Sequence, residues 1–129
     1  MKKKRVVYEA QEDYLESIYY LSLRQESVRS VDVAEERNVS KATVSQAVHA
    51  LKAKGLLDFA PDGALLLTET GEEIAKKVYE RHELLTRLLI DLGVSVKVAR
   101  HDACRLEHFM SEETFQAFKK LAETMKKDT

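Results

Sequence analysis

The chain has 129 residues, enough for one compact domain or two very small ones, and 44% of them are hydrophobic, which allows a core and excludes a mainly disordered chain. Charged residues make up 33% but nearly cancel, to a net charge of −1, so any nucleic-acid-binding surface must be a local feature and not a property of the whole. The single cysteine excludes an internal disulfide and fits a reducing compartment; with no signal-peptide core and no long apolar run, the expected protein is soluble and cytoplasmic, with no membrane partner.

One proline, Pro61, and four glycines favour helix over sheet. The N-terminal "MKKKRVVYEA" is basic, but "QEDYLES" follows at once with three acids. From about Tyr8 to Leu23 the apolar residues Leu15, Ile18, Tyr19 and Leu23 recur at helical spacing, and Asp13 and Glu16 share an adjoining face. "SVDVAEERNVS" predicts a short helix with Ser30 as its N-cap, broken at Asn38. Ser40 then caps "KATVSQAVHALKAK", whose stripe is Val44, Val48 and Leu51, and Gly55 takes the C′ position. Two helices about a tight polar turn read as a helix-turn-helix. The next stretch, "LLDFA-PDG-ALLLT", is two apolar runs about a Pro-Asp-Gly turn, a hairpin signal that converts the motif into a winged helix.

From Thr68 the pattern is helical again, with Ile74, Val78, Leu85 and Leu88 on one side and Gly93 as the stop. Ser95 and Ser111 are candidate caps for two further helices, 96–108 and 112–125. The fold class is therefore mainly α: a winged helix-turn-helix with a small β-hairpin wing over residues 1–70, followed by an all-helical domain over 71–129. The helical half carries more apolar surface than its size can bury, so it is the expected seat of homodimerisation.

The exposed face of the second helix of the motif offers Ser40, Lys41, Thr43, Ser45 and Gln46, with Lys52 near its end, and residues 40–54 contain no acid. Hydroxyls and an amide suit phosphates and base edges, Gln pairs bidentately with adenine, and lysines suit phosphates. Taken with the hairpin, these residues point to DNA as partner. A solvated helix face would carry the same residue types.

"CRLEHFM" (104–110) sets a thiol, a carboxylate and an imidazole at Cys104, Glu107 and His108, on one face if the segment is helical. A buried small thiol beside a surface Glu-His pair is the plain alternative. Asp13 and Glu16 on the first helix, and His82 in "ERHELL", add groups from two further helices. Sulfur, imidazole and carboxylate together suit a borderline first-row divalent ion, and zinc-finger spacing is absent.

Five stretches, "EDYLESIY", "VSKATVSQAVHALKAKGLL", "LTETG", "RHELL" and "DACRLEHFMSEE", occur in this order over nearly the whole chain. In them the sequence resembles the diphtheria-toxin-repressor (DtxR/MntR-type) family of metal-dependent transcriptional regulators. The resemblance implies a winged helix with a helical dimerisation domain. It also implies operator binding as a homodimer loaded with iron(II) or manganese(II), and repression of metal-uptake genes.

Carried over position by position, the resemblance implies Asp13, Glu16, His82, Cys104, Glu107 and His108 as metal ligands. The set is a hybrid: manganese-type members carry glutamate in place of Cys104, and iron-type members usually carry methionine in place of Asp13. Thr86 replaces a glutamate of the iron-type second site, and its further histidine is shifted onto His101. An SH3-like domain of the kind that many relatives add is not expected in this chain. The soft thiolate tilts the expected ion toward iron(II), with manganese(II) close behind.

Two other functions compete. A metal-independent winged-helix regulator would sense an organic ligand or redox state, with Cys104 as core or redox switch. An enzyme would use Cys104 and His108 as nucleophile and base, but no glycine-rich oxyanion loop is present, so the chain reads as no enzyme.

Overall fold

The computed structural model describes the backbone of residues 2–127 and the side chains of residues 10–126; side chains of the basic N-terminal run lie outside the described residues. The elements in order are α1 (Lys2–Ser22), α2 (Ser30–Arg37), α3 (Lys41–Ala53), β1 (Leu57–Phe59), β2 (Leu65–Leu67), α4 (Glu69–Asp91), α5 (Val96–Leu106) and α6 (Glu112–Lys127). They fall into two compact units, Met1–Lys77 and Val78–Thr129.

In the first unit, Leu15 and Ile18 of α1 pack on Val33 of α2, Val44, Val48 and Leu51 of α3, and Leu57 and Leu65 of the hairpin. The expected stripe on α3 is thus the buried one. Local chemistry sets the helix ends. Asn38 closes α2 in the left-handed conformation, φ 56°, where its short polar side chain is tolerated. Ser40 caps α3, its Oγ accepting the Thr43 N–H at 3.1 Å.

One expected cap differs. Ser30 is the first residue of α2 and Arg29 is its N-cap; the Arg29 N–H donates to Asp32 Oδ2 at 2.8 Å. An acid two residues into the helix does the work that was expected of the serine hydroxyl.

The wing is an antiparallel pair with Leu57 opposite Leu67 and Phe59 opposite Leu65. Its turn closes through Gly63, φ 89°, whose N–H donates to Ala60 O at 2.9 Å. The wing is bolted to the start of α2: Leu65 N–H donates to Val28 O at 2.7 Å, and the Arg29 guanidinium grips Asp62 at its carbonyl (2.8 Å) and carboxylate (3.0 Å). At the start of α4, Gly71 lies so close to Leu56 that a Cβ there would fall 1.9 Å from the Leu56 carbonyl oxygen.

In the second unit, Leu85 of α4, Ala103 of α5, Met110, and Phe115 of α6 form a separate small core. Gly93, φ 101°, ends the helical run before α5. Ser95 occupies the cap position of α5 with extended geometry but makes no side-chain capping bond, whereas Ser111 Oγ accepts the Thr114 N–H at 3.1 Å. The helix expected through residue 108 stops at Leu106. Glu107 still holds α-helical angles, φ −59° and ψ −31°, and opens the turn through His108 that leads to α6. No helix among the described residues is long and apolar enough to cross a membrane.

Candidate metal centre and nucleic-acid interface

Ser40, Lys41, Thr43, Ser45, Gln46 and Lys52 are all exposed. They do not all have the same availability. The hydroxyls of Ser40 and Thr43 are 2.8 Å apart and belong to the cap. Lys52 Nζ donates to Asp58 Oδ1 of β1 at 2.8 Å, and its ammonium lies 5.6 Å from the Phe59 ring. This lysine, with the Phe59 N–H that also donates to Asp58, holds the Asp58 carboxyl below its ordinary value. Lys41, Ser45 and Gln46 come from the N-terminal half of α3, the part of such a helix that addresses base edges.

Residues that the sequence did not mark also shape this surface. His49 Nδ1 lies 2.7 Å from Ser45 O, and its ring sits 5.5 Å from that of Phe59, linking the helix to the wing strand. Arg29 fixes the wing tip through Asp62. In α1, Asp13 and Glu16 are part-buried. Arg37, the last residue of α2, donates to Asp13 O at 3.3 Å and Ser17 Oγ at 2.9 Å.

The second unit gathers four of the expected ligands. The Glu107 side chain is 1% exposed; its Oε2 lies 3.6 Å from His82 Nδ1 and its Oε1 lies 3.6 Å from His108 Nε2. The His108 side chain is equally hidden, at 2%. Cys104 Sγ, a Glu107 oxygen and a His108 nitrogen lie within 4.8 Å of one another. A buried carboxylate among imidazoles and a thiol is costly to desolvate without a cation, and the donor types are those that first-row divalent ions accept. The residues present therefore fit such an ion.

Position matters as much as donor type. Arg81, next to His82 on α4, reaches the same segment: its Nη1 donates to Met110 O at 2.9 Å and, at 3.4 Å, to Glu107 O. Its Nη2 meets Glu112 Oε1 at 2.9 Å, and the guanidinium lies 5.0 Å from the Phe115 ring. Two neighbouring residues of one helix thus meet Glu107: His82 lies beside its carboxylate, and Arg81 donates to its backbone carbonyl. Of the two side positions raised by the sequence, His101 is exposed beside Asp102, while the Thr86 hydroxyl is buried without a hydrogen-bond partner among the described residues.

A winged helix-turn-helix unit and a helical unit that sets a half-buried thiol beside a buried Glu-His pair define a metal-responsive DNA-binding protein. Two family models match in tandem: "Iron dependent repressor, N-terminal DNA binding domain" over residues 7–65, and "Iron dependent repressor, metal binding and dimerisation domain" over residues 68–129. The transcriptional regulator MntR of Escherichia coli O157:H7 is 39% identical over 108 residues, 84% of this chain and 70% of that protein. The iron-dependent repressor IdeR of Mycobacterium tuberculosis is 40% identical over 103 residues, 79% of this chain and 45% of that one. Among solved structures, the manganese regulator SloR superposes with a TM-score of 0.79 at 31% identity, covering 88% of this chain and 53% of that chain. The chain belongs to the iron-dependent repressor family, whose members are metal-dependent transcriptional regulators and not enzymes. It spans about half the length of IdeR and of the SloR chain.

Proposed function

We propose that this protein is a cytoplasmic, metal-activated repressor that binds operator DNA as a homodimer and controls metal-uptake genes. The observation that carries this reading is the buried Glu107 carboxylate set between His82 and His108, with the Cys104 thiol beside it, in a chain that also carries a winged helix. In this reading Cys104 and Glu107 at the end of α5, His108 just beyond it and His82 of α4 hold the ion, with Asp13 and Glu16 of α1 completing the set. When bound, iron(II) or manganese(II) would supply two positive charges among these carboxylates. Tying α1 to the helical unit would then set the two recognition helices of a dimer about one DNA turn, roughly 34 Å, apart. Metal and DNA would strengthen each other's binding by the same factor.

In this reading residues 1–70 read DNA, and 71–129 bind metal and dimerise. Exposed Leu106, Phe109 (66% exposed) and Leu121 supply apolar surface for the dimer contact. In the DNA-reading half, Lys41 and Lys52 grip phosphates, Gln46 and Ser45 read base edges, and Ser40 and Thr43 place the helix N-terminus. Cys104 tilts the choice of ion toward iron(II), and Asp13 tilts it toward manganese(II).

The test is anaerobic DNA binding with each ion, on duplexes selected from a random pool, for the parent and His108→Ala. Metal-dependent binding by the parent and none by the variant is the expected result. Equal binding with and without either ion defeats the proposal.

A further inference from the structure

Arg37 is the last residue of α2, the first helix of the helix-turn-helix, and it reaches back to α1. Its Nη1 donates to the Asp13 carbonyl at 3.3 Å and to the buried Ser17 hydroxyl at 2.9 Å, and its guanidinium lies 5.0 Å from the Tyr14 ring. Its Nη2 is 3.9 Å from Asp13 Oδ2, close enough for an ion pair but beyond hydrogen-bond reach. The two kinds of contact have different consequences. The hydrogen bonds to a backbone oxygen and a buried hydroxyl fix the guanidinium in place. Arg37 meets the carboxylate through charge and not through a hydrogen bond, so a cation arriving at Asp13 meets the arginine's charge without displacing the arginine's hydrogen bonds. Arginine cannot shed its proton to relieve the repulsion that follows.

We infer that Arg37 sets the metal threshold of this protein: its fixed positive charge beside Asp13 weakens the binding of a divalent ion at that carboxylate. The inference rests on the proposed role of Asp13 as a ligand. A charge acting through space does not distinguish ions of equal charge, so the penalty is the same for manganese(II) and zinc(II). Cys104 does distinguish them, because thiolate affinity follows the softness of the metal. Two residues thereby take two separate jobs: Cys104 chooses the ion, and Arg37 decides how much of it is needed. A sensor needs such a brake, since a carboxylate-rich site without it fills at ion levels too low to signal sufficiency. Arg37 also closes α2 at the negative end of the helix dipole, a stabilising role that any cation can fill.

The experiment uses the whole chain, with manganese(II) and zinc(II) each titrated anaerobically against a competing metal indicator. Arg37→Gln and Arg37→Met remove the charge; Arg37→Lys keeps it. The neutral variants are expected to bind both ions more tightly by the same factor, roughly tenfold after solvent screening, and Arg37→Lys to stay within about twofold of the parent. Met keeps an aliphatic stem and Gln a polar end, so either folded neutral variant suffices. In an Asp13→Ala background the gain is expected to vanish. Melting of the metal-free proteins reports the separate structural role, as a lower midpoint for the neutral variants than for Arg37→Lys.

Parent-like or weaker metal binding by a folded neutral variant overturns the inference, and so does a gain for one ion alone or an equal gain in Arg37→Lys. Parent-like affinity in Asp13→Ala removes Asp13 from the ligand set and the inference with it. A weakened Asp13→Ala beside an unchanged Arg37→Gln leaves the ligand reading standing and sinks only the threshold.

Discussion

Replacing Gly71 by alanine gives the sharpest stability test of the first unit. An added Cβ would sit 1.9 Å from Leu56 O and 2.9 Å from Leu56 C, both backbone atoms that cannot rotate away. Normal contact needs about 3.4 Å, so α4 and the Leu56 segment would have to part by about 1.5 Å. That segment is pinned: Leu56 and Leu57 are buried, Thr68 N–H donates to Leu56 O at 3.2 Å, and Thr68 Oγ1 donates to Gly55 O at 2.7 Å while accepting the Gly71 N–H. Overpacking a core costs about 1–3 kcal/mol, and loosening one of these hydrogen bonds adds about 1 kcal/mol. Against this, alanine is favoured over glycine in a helix by about 1 kcal/mol. The net expectation is a loss of about 1–3 kcal/mol, a fall in melting temperature of roughly 5–10 °C for so small a protein. Metal-free protein melted by circular dichroism measures it directly. A Gly71→Ala variant as stable as the parent, or more so, would show that helix propensity outweighs the close approach and that the contact yields at little cost.

Other expectations concern the sites. Arg81→Met should lower metal affinity by about 10–100-fold, because the segment bearing Glu107 and His108 loses its backbone anchor. Direct metal titration alongside Glu112→Gln, which spares that anchor, checks it. Gln46→Ala should cost about 1–3 kcal/mol on a selected operator and relax its specificity, while Lys41→Ala should weaken all duplexes alike and flatten the salt dependence; competition binding at several salt concentrations separates the two. Asp58→Asn should remove the cost of drawing Lys52 out of its ion pair and raise non-specific DNA affinity. The Asp58 carboxyl titrates below its ordinary value, so the Lys52 pair is intact at neutral pH. Its contribution is lost only as the pH falls through that lowered value, as acid melts of parent and Asp58→Asn should show.

What the sequence alone determined is what depends on neighbours in the chain. The buried stripe Val44, Val48 and Leu51 follows from the helical repeat, and the stops at Asn38, Gly55 and Gly93 follow from which residues tolerate positive φ. The hairpin follows from a Pro-Asp-Gly turn between apolar runs. The donors Cys104, Glu107 and His108 could be read together because they lie within five positions of one another. Even locally the reading missed where two signals competed, as at the start of α2, where Asp32 caps through the Arg29 N–H. "LTETG" was legible as a marker, yet nothing in it says that its glycine touches the Leu56 backbone. Only the tertiary structure decided the partners of Arg29, Arg37, Lys52 and Arg81, and which acids each one neutralises. A long cationic side chain has no periodicity and can reach any acid or carbonyl within several ångströms. Its partner is therefore fixed by how the backbone packs, in these chain segments by the small cores around Leu15 and Leu85.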